Sequence, residues 1–405
     1  GYNALYNTTT GVENTVIGTQ AGDANTTGSH NVAVGRHALG ENTTANDNTA
    51  VGVFALGSNT TGLYNVGIGN SALRNATTAD ANTAIGFHAA RSTTTGYNNV
   101  AIGYAALVSN TTGNNNIAIG NNALDVASTA SYNTAIGFNA LTDNTTGSNN
   151  HAIGNGSQEN TTTGNYNVSL GGGTLNANTT GSSNTAVGHE ALQVATASNN
   201  TAVGKSALLA NTTGTQNTGI GLQALKSNTT GDYNVALGVN ALLNNTTASN
   251  NVAVGVNAMN QNTTGSSNTA LGYSVMNANT TGIQNTAVGA NALDANTTGN
   301  DNCAFGHHAL GVNTTGTRNT AFGKSALSDA TTANYNVAIG SQVLDANTTG
   351  SYNVGIGVSA LTDSTTADYN TAVGYIALQD NTTGTKNVAV GAWAMPLSTT
   401  ANYNV

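Results

Sequence analysis

The chain repeats itself every 17 residues, and a unit that short cannot bury enough apolar surface to fold alone. Written from a leading asparagine, the unit is N-[T/V]-A-[V/I]-G-x-x-A-L-x-x-N-T-T-[G/A]-x-x, and Asn31 to Thr44, NVAVGRHALGENTT, is a typical copy. Its glycine, at position 5, recurs from Gly18 through Gly35 and Gly52 to Gly188. One step of 16 leads to Gly204, and the spacing of 17 then holds to Gly391. With Gly1 as the first mark there are 24 copies and almost nothing else. Each copy must be one coil of a stack, covered by its neighbours above and below. The expected fold is all-β, a parallel β-solenoid (β-roll or β-helix) of about 24 coils. Residues 1–405 would then form one continuous rod, a fragment of a longer chain.

Within the coil, period-2 logic puts positions 2 and 4 on one face of a short strand and position 3 on the other. Positions 2 and 4 carry Thr, Val and Ile, which suit strands, and position 9 is nearly always Leu or Met. The reading that follows makes positions 2, 4 and 9 the core: Val34, Leu39, Val51, Leu56, Ile102, Leu107 and Val254. Cys303, which takes the place of Thr or Val at position 2, becomes a small buried filler, and His151 falls in the same inward column. Position 3 would point outward, yet it is nearly always Ala, Gly or Ser, and position 8 is nearly as restricted. A solvent-facing column gives no reason to refuse Lys or Glu. Ala33, Ala38, Ala50, Ala253 and Ala270 therefore stand as a candidate interface with further copies of the same rod, a homo-oligomer. The competing reading places these alanines in the tight interior of a flattened single-chain solenoid.

Positions 12 to 15, as in Asn59-Thr60-Thr61-Gly62, have turn chemistry. Stacked asparagines at position 1 can hydrogen-bond along the axis, as they do in other stacked β structures. Charged residues fall at positions 6, 7, 10, 11, 16 and 17, the expected corners. Position 17 is often Tyr, and Tyr335, Tyr352 and Tyr369 stand one coil apart, candidate glycan contacts as well as a packing column. The coils from His151 to Thr174 depart furthest from the pattern, with Ser157-Gln158 where Ala-Leu belongs, and read as local weakening.

A net charge of −9 without a Lys/Arg stripe argues against nucleic acid as a partner. No apolar run approaches membrane-spanning length, so membrane insertion is not expected. Neither a signal segment nor an initiator Met is present, which fits a processed or truncated piece. The motifs of zinc proteases, serine hydrolases, CxxC redox proteins and phosphate-binding loops are absent. The reading is non-enzymatic, with no catalytic, cofactor-binding or metal-binding residues and no cofactor. The N-x-T triplets match glycosylation acceptors formally, but one glycan per coil would be crowded.

The recurring N-T-A-[V/I]-G-x-x-A-L and N-T-T-G, seen in Asn285 to Leu293 and Asn262 to Gly265, resemble the repeats of phage tail-fibre and bacterial surface-fibre proteins. In that family the repeats often precede a self-cleaving intramolecular chaperone domain that helps trimers assemble. Asn31-Val32-Ala33-Val34-Gly35 is more distantly similar to the coil in the head of trimeric autotransporter adhesins. The resemblance implies a homotrimer and an extracellular or virion appendage. Three functions follow: the structural shaft of a fibre projecting a tip or tether, an adhesin binding surface glycans through Tyr, Asn and Thr columns, and an ice-binding solenoid. The last is suggested by Thr at positions 13 and 14, but two adjacent Thr on a turn would not make one flat face.

Overall fold

The computed structural model describes residues 1–405 as two compact units, Gly1–Asn200 and Thr201–Val405. The division falls at the single 16-residue step of the repeat. Each unit is a parallel β-solenoid. The first holds strands β1 (Thr15–Ile17) to β11 (Thr185–Val187), and the second β12 (Thr201–Val203) to β23 (Val388–Val390). Every strand has three residues, positions 2 to 4, and within each unit the strands pair in parallel with the neighbouring copy. Thr15 lies opposite Val32 and Val32 opposite Thr49, so the register advances one repeat per coil.

The inside and outside of the strand are the reverse of the expectation. Ala33, Ala38, Ala50, Ala253 and Ala270, the candidate intersubunit interface, are buried within the chain itself. Of the expected core, Leu39, Leu56 and Leu107 are buried, whereas Val34, Val51, Ile102 and Val254 are half-exposed. His151 is exposed and Cys303 half-exposed, so neither belongs to an inward column. The physical reason is the width of the coil. A Cβ placed on Gly67, at position 3, would lie 3.2 Å from Leu56 Cγ and 3.3 Å from the Ala72 carbonyl oxygen. Position 3 thus faces the leucine of the preceding coil and the backbone of its own position 8, with room for one methyl group. Val and Ile do not fit there and are left on the outer face. Two exceptions support this packing. Val16 is large at position 3, and Gly22 stands at its coil's position 9, where a Cβ would be 3.6 Å from Val16 Cγ2. Val343 is large at position 8, and position 3 of the next coil is Gly355, whose added Cβ would be 2.5 Å from Val343 Cγ1.

The coil closes through left-handed backbone at positions 7, 9 and 17, for example His37 at φ 57, Leu39 at φ 49 and Asp47 at φ 58. Asn, Asp and His, which tolerate that region best, recur at positions 7 and 17, although Tyr is the commonest residue at position 17. Leucine tolerates it poorly: left-handed backbone costs an L-residue roughly 1–2 kcal/mol. Full burial of a leucine side chain contributes about 1.5–3 kcal/mol, which offsets the strain and explains why position 9 is Leu and seldom Gly. At position 5 the requirement is absolute. Gly103 has φ 135, and a Cβ there would sit 2.5 Å from the Gly120 carbonyl oxygen of the next coil.

An unbroken asparagine column at position 1 runs through each unit, and an interrupted one stands at position 12. At position 1 the expected ladder is present: Asn82 Nδ2 donates to Asn65 Oδ1 at 3.2 Å, and the Asn82 backbone N–H donates to the same oxygen at 3.0 Å. Position 12, read from the sequence as part of a turn, forms a second buried ladder where successive copies carry Asn, with Asn59 Nδ2 donating to Asn42 Oδ1 at 3.1 Å. The columns meet at position 15, whose carbonyl accepts from both: Gly62 O is 2.9 Å from Asn48 Nδ2 and 3.0 Å from Asn59 Nδ2. Position 13 adds a third line of bonds. The Thr60 carbonyl accepts from Thr43 N at 3.1 Å, Thr44 N at 3.4 Å and Thr43 Oγ1 at 3.1 Å. A chain so rich in Asn and Thr has a packed interior because these groups bond to one another.

Candidate functional site

Three features stand apart from the repeating scaffold. The first is the tyrosine column at position 17. Tyr335, Tyr352 and Tyr369 stack with ring centroids 4.9 Å apart and planes within 5° and 2° of parallel. The column is bounded by cations at the same position. Arg318 lies over the Tyr335 ring with Cζ 5.3 Å from its centroid, donates to the Tyr335 hydroxyl, and meets Asp301 at 3.6 Å. At the other end Lys386 Nζ lies 4.9 Å from the Tyr403 centroid and donates to that hydroxyl at 3.1 Å. The structure therefore brings together the three tyrosines singled out from the sequence. It also shares their faces among themselves, and a sugar that stacks on aromatic rings needs a face. What the column offers outward is ring edges and a row of hydroxyls.

The second feature is a polar patch in the interior of the first unit. Ser157, Gln158, Ser169 and Thr174 occupy core positions and are all buried. Ser157 Oγ lies 2.5 Å from Ser169 Oγ and 3.0 Å from Thr174 Oγ1, while Gln158 Nε2 donates to Ser169 Oγ at 2.8 Å and to the His151 carbonyl at 3.1 Å. The substitutions that looked like weakening are thus coupled through these hydroxyls and the Gln158 amide nitrogen, while Gln158 Oε1 is buried without a partner. No cavity opens beside them.

The third is position 14, Thr in all eleven copies from Thr10 to Thr180 and all twelve from Thr213 to Thr400. It is exposed throughout, while the hydroxyls of position 13 are spent on neighbouring carbonyls. Sequence reasoning merged the two into one turn; their different roles depend on which hydroxyl finds a carbonyl. Where the residue two before such a threonine is asparagine, as at Asn42 and Asn59, it is buried with its amide in the ladder. The folded coil leaves that nitrogen no access to a glycosylating enzyme.

Titratable groups are few and dispersed. No three His, Cys, Asp or Glu side chains converge as metal ligands, and His307 and His308 meet edge to face with centroids 4.3 Å apart. Three aspartates at position 10 are half-buried and hold their protons above the ordinary carboxylate range. Burial raises Asp125, with Asp143 adding repulsion, and burial raises Asp345, with Asp329 beside it. Burial also raises Asp294, partly countered by a backbone hydrogen bond from Asn277 and by His308. Because the folded state penalises the carboxylate form, stability is expected to rise as pH falls through the folded pKa and to level off below the unfolded value of 3.8. Asp125→Asn should raise the melting temperature at pH 7 and leave it unchanged at pH 3. Equal gains at both pH values in thermal scans would refute that origin.

The chain matches no protein-family model, and a comparison with curated proteins finds no match. Fold and surface nonetheless define a class: a tandem-repeat β-solenoid of the fibrous, structural kind. No helix is long and apolar enough to cross a membrane.

Proposed function

We propose that this chain is the shaft of an extracellular or virion fibre, spacing a tip or tether from the surface that bears it. The observation that supports this is the uniformity of the coil. Within each unit a coil is bonded to the next through the position 1 asparagine ladder and a threonine line. A second asparagine ladder joins them where successive copies carry Asn at position 12, so length can be set by copy number without altering any site. In-frame removal of residues 222–289, four whole coils, should shorten the fibre by roughly 19 Å at ~4.8 Å per strand spacing. Binding or attachment by the intact fibre should be unchanged. Averaged electron micrographs give the length, and an adhesion or infection assay the function. Loss of binding with the tyrosine column intact would defeat the shaft reading. The adhesin reading would replace it if the isolated protein bound a glycan saturably and Tyr352→Ala with Tyr369→Ala abolished that binding.

A further inference from the structure

We infer that the outer strand face, positions 2 and 4, is a self-association surface whose occupant is the same face of a second copy of this chain. This does not depend on the shaft reading, since it concerns what covers the sheet and not what the fibre carries. The face consists of Thr, Val, Ile, Leu and Phe, with Cys303 and His151 as departures, and not one Lys, Arg, Asp or Glu stands on it in either unit. It is also open. In the second unit Ile220, Leu237 and Leu271 are 37%, 45% and 47% exposed, and Val235 and Val252 37% each. Across the position 5 glycine the same coils expose Leu222, Val239, Val256 and Tyr273. Soluble chains rarely leave so long an apolar strip uncovered.

Two arguments select a second copy. The first is the repeat. A partner must present apolar rows at the strand spacing along many coils, and this chain carries such rows itself. The second is area. Three strand residues at ~3.3 Å by ~4.8 Å per coil give about 50 Å² per coil, so the twelve coils of the second unit offer about 600 Å² per copy. Two copies together would bury about 1,200 Å², the lower end of stable specific interfaces, and the residues at position 6 add to it. Ordered water is the competing occupant, but it requires a flat face of constant height. Here the rows run from Val254 through Leu271 to Phe305 and Phe322, the last 56% exposed, and side chains of another molecule can interleave where a water lattice cannot.

The test is sedimentation equilibrium of the full chain beside Val235→Lys/Val252→Lys, with Thr247→Lys/Thr264→Lys on the exposed position 14 column as control. Circular dichroism of each verifies folding. The wild type and the control should associate, and the face variant should dissociate at least tenfold more readily. A second variant, Val235→Thr/Val252→Thr/Val337→Thr/Val354→Thr, uses a residue the repeat already carries at position 2, so it keeps the fold and should weaken association several-fold. Wild type that stays monomeric at high micromolar concentration overturns the proposal, as does association unaltered in folded face variants. Monomeric wild type with thermal hysteresis would assign the face to ice and overturns it equally.

Discussion

Ala253→Glu is expected to prevent the second unit from folding cooperatively, whereas Val254→Glu, one residue along, leaves it folded. Ala253 is 0% exposed and lies beside Ala270 of the next coil in an interior with room for little more than a methyl group. A carboxylate there loses its water without gaining a partner, and its extra atoms must push the coil apart. The expected loss exceeds about 4 kcal/mol, the range of the most severe single substitutions. Val254 stands on the open face, where Glu forfeits mainly strand propensity, within about 1 kcal/mol. Denaturant melts of both variants, at concentrations where the chain is monomeric, decide the matter. Equal destabilisation would mean that the strand does not have the orientation described.

That pair marks where sequence reasoning succeeds and where it inverts. The solenoid, its parallel register and the position 1 ladder were all legible, because a strict period with an unvarying Asn leaves few other folds. The strand's orientation was misread because β-branched residues were taken to be inside wherever a strand has two faces. In this coil position 3 faces a leucine and a backbone carbonyl with room for little more than a methyl group, so alanine is the core residue there and Val and Ile stand outside. The deciding signal was present in the chain: Val16 with Gly22, and Val343 with Gly355, are large-for-small exchanges between columns that touch only if position 3 points inward. The tyrosine stack was also legible from its spacing. Its use of the ring faces was not, because that depends on side-chain torsions the repeat does not reveal. The role of position 12 was hidden for a similar reason, since Asn before Thr-Thr-Gly reads as a turn whether its amide points to solvent or into a ladder.

The asparagine columns lead to a second large effect, which lies in the coupling between them. Asn302 accepts from the Asn319 backbone N–H at 3.0 Å and donates to the Gly316 carbonyl at 2.8 Å, and Asn313 donates to that same carbonyl at 3.1 Å. Asn302→Ala leaves one buried N–H without its acceptor and opens a small void, an expected loss of about 2–4 kcal/mol. The Gly316 carbonyl survives that change because Asn313 still holds it, and it survives Asn313→Ala because Asn302 does. Only the double variant leaves it buried and unbonded, so the combined loss should exceed the sum of the single losses by about 1–3 kcal/mol. Thr314→Val supplies the contrast. Its hydroxyl donates to the Thr331 carbonyl at 3.0 Å, but two backbone N–H groups, of Thr314 at 2.9 Å and Thr315 at 3.3 Å, reach that oxygen as well. Removing the hydroxyl orphans nothing and should cost about 1 kcal/mol or less. A double-mutant cycle on Asn302 and Asn313, read from denaturant midpoints, measures the coupling directly. Strict additivity would show that the two columns do not share the carbonyl, and that each ladder stabilises the stack independently.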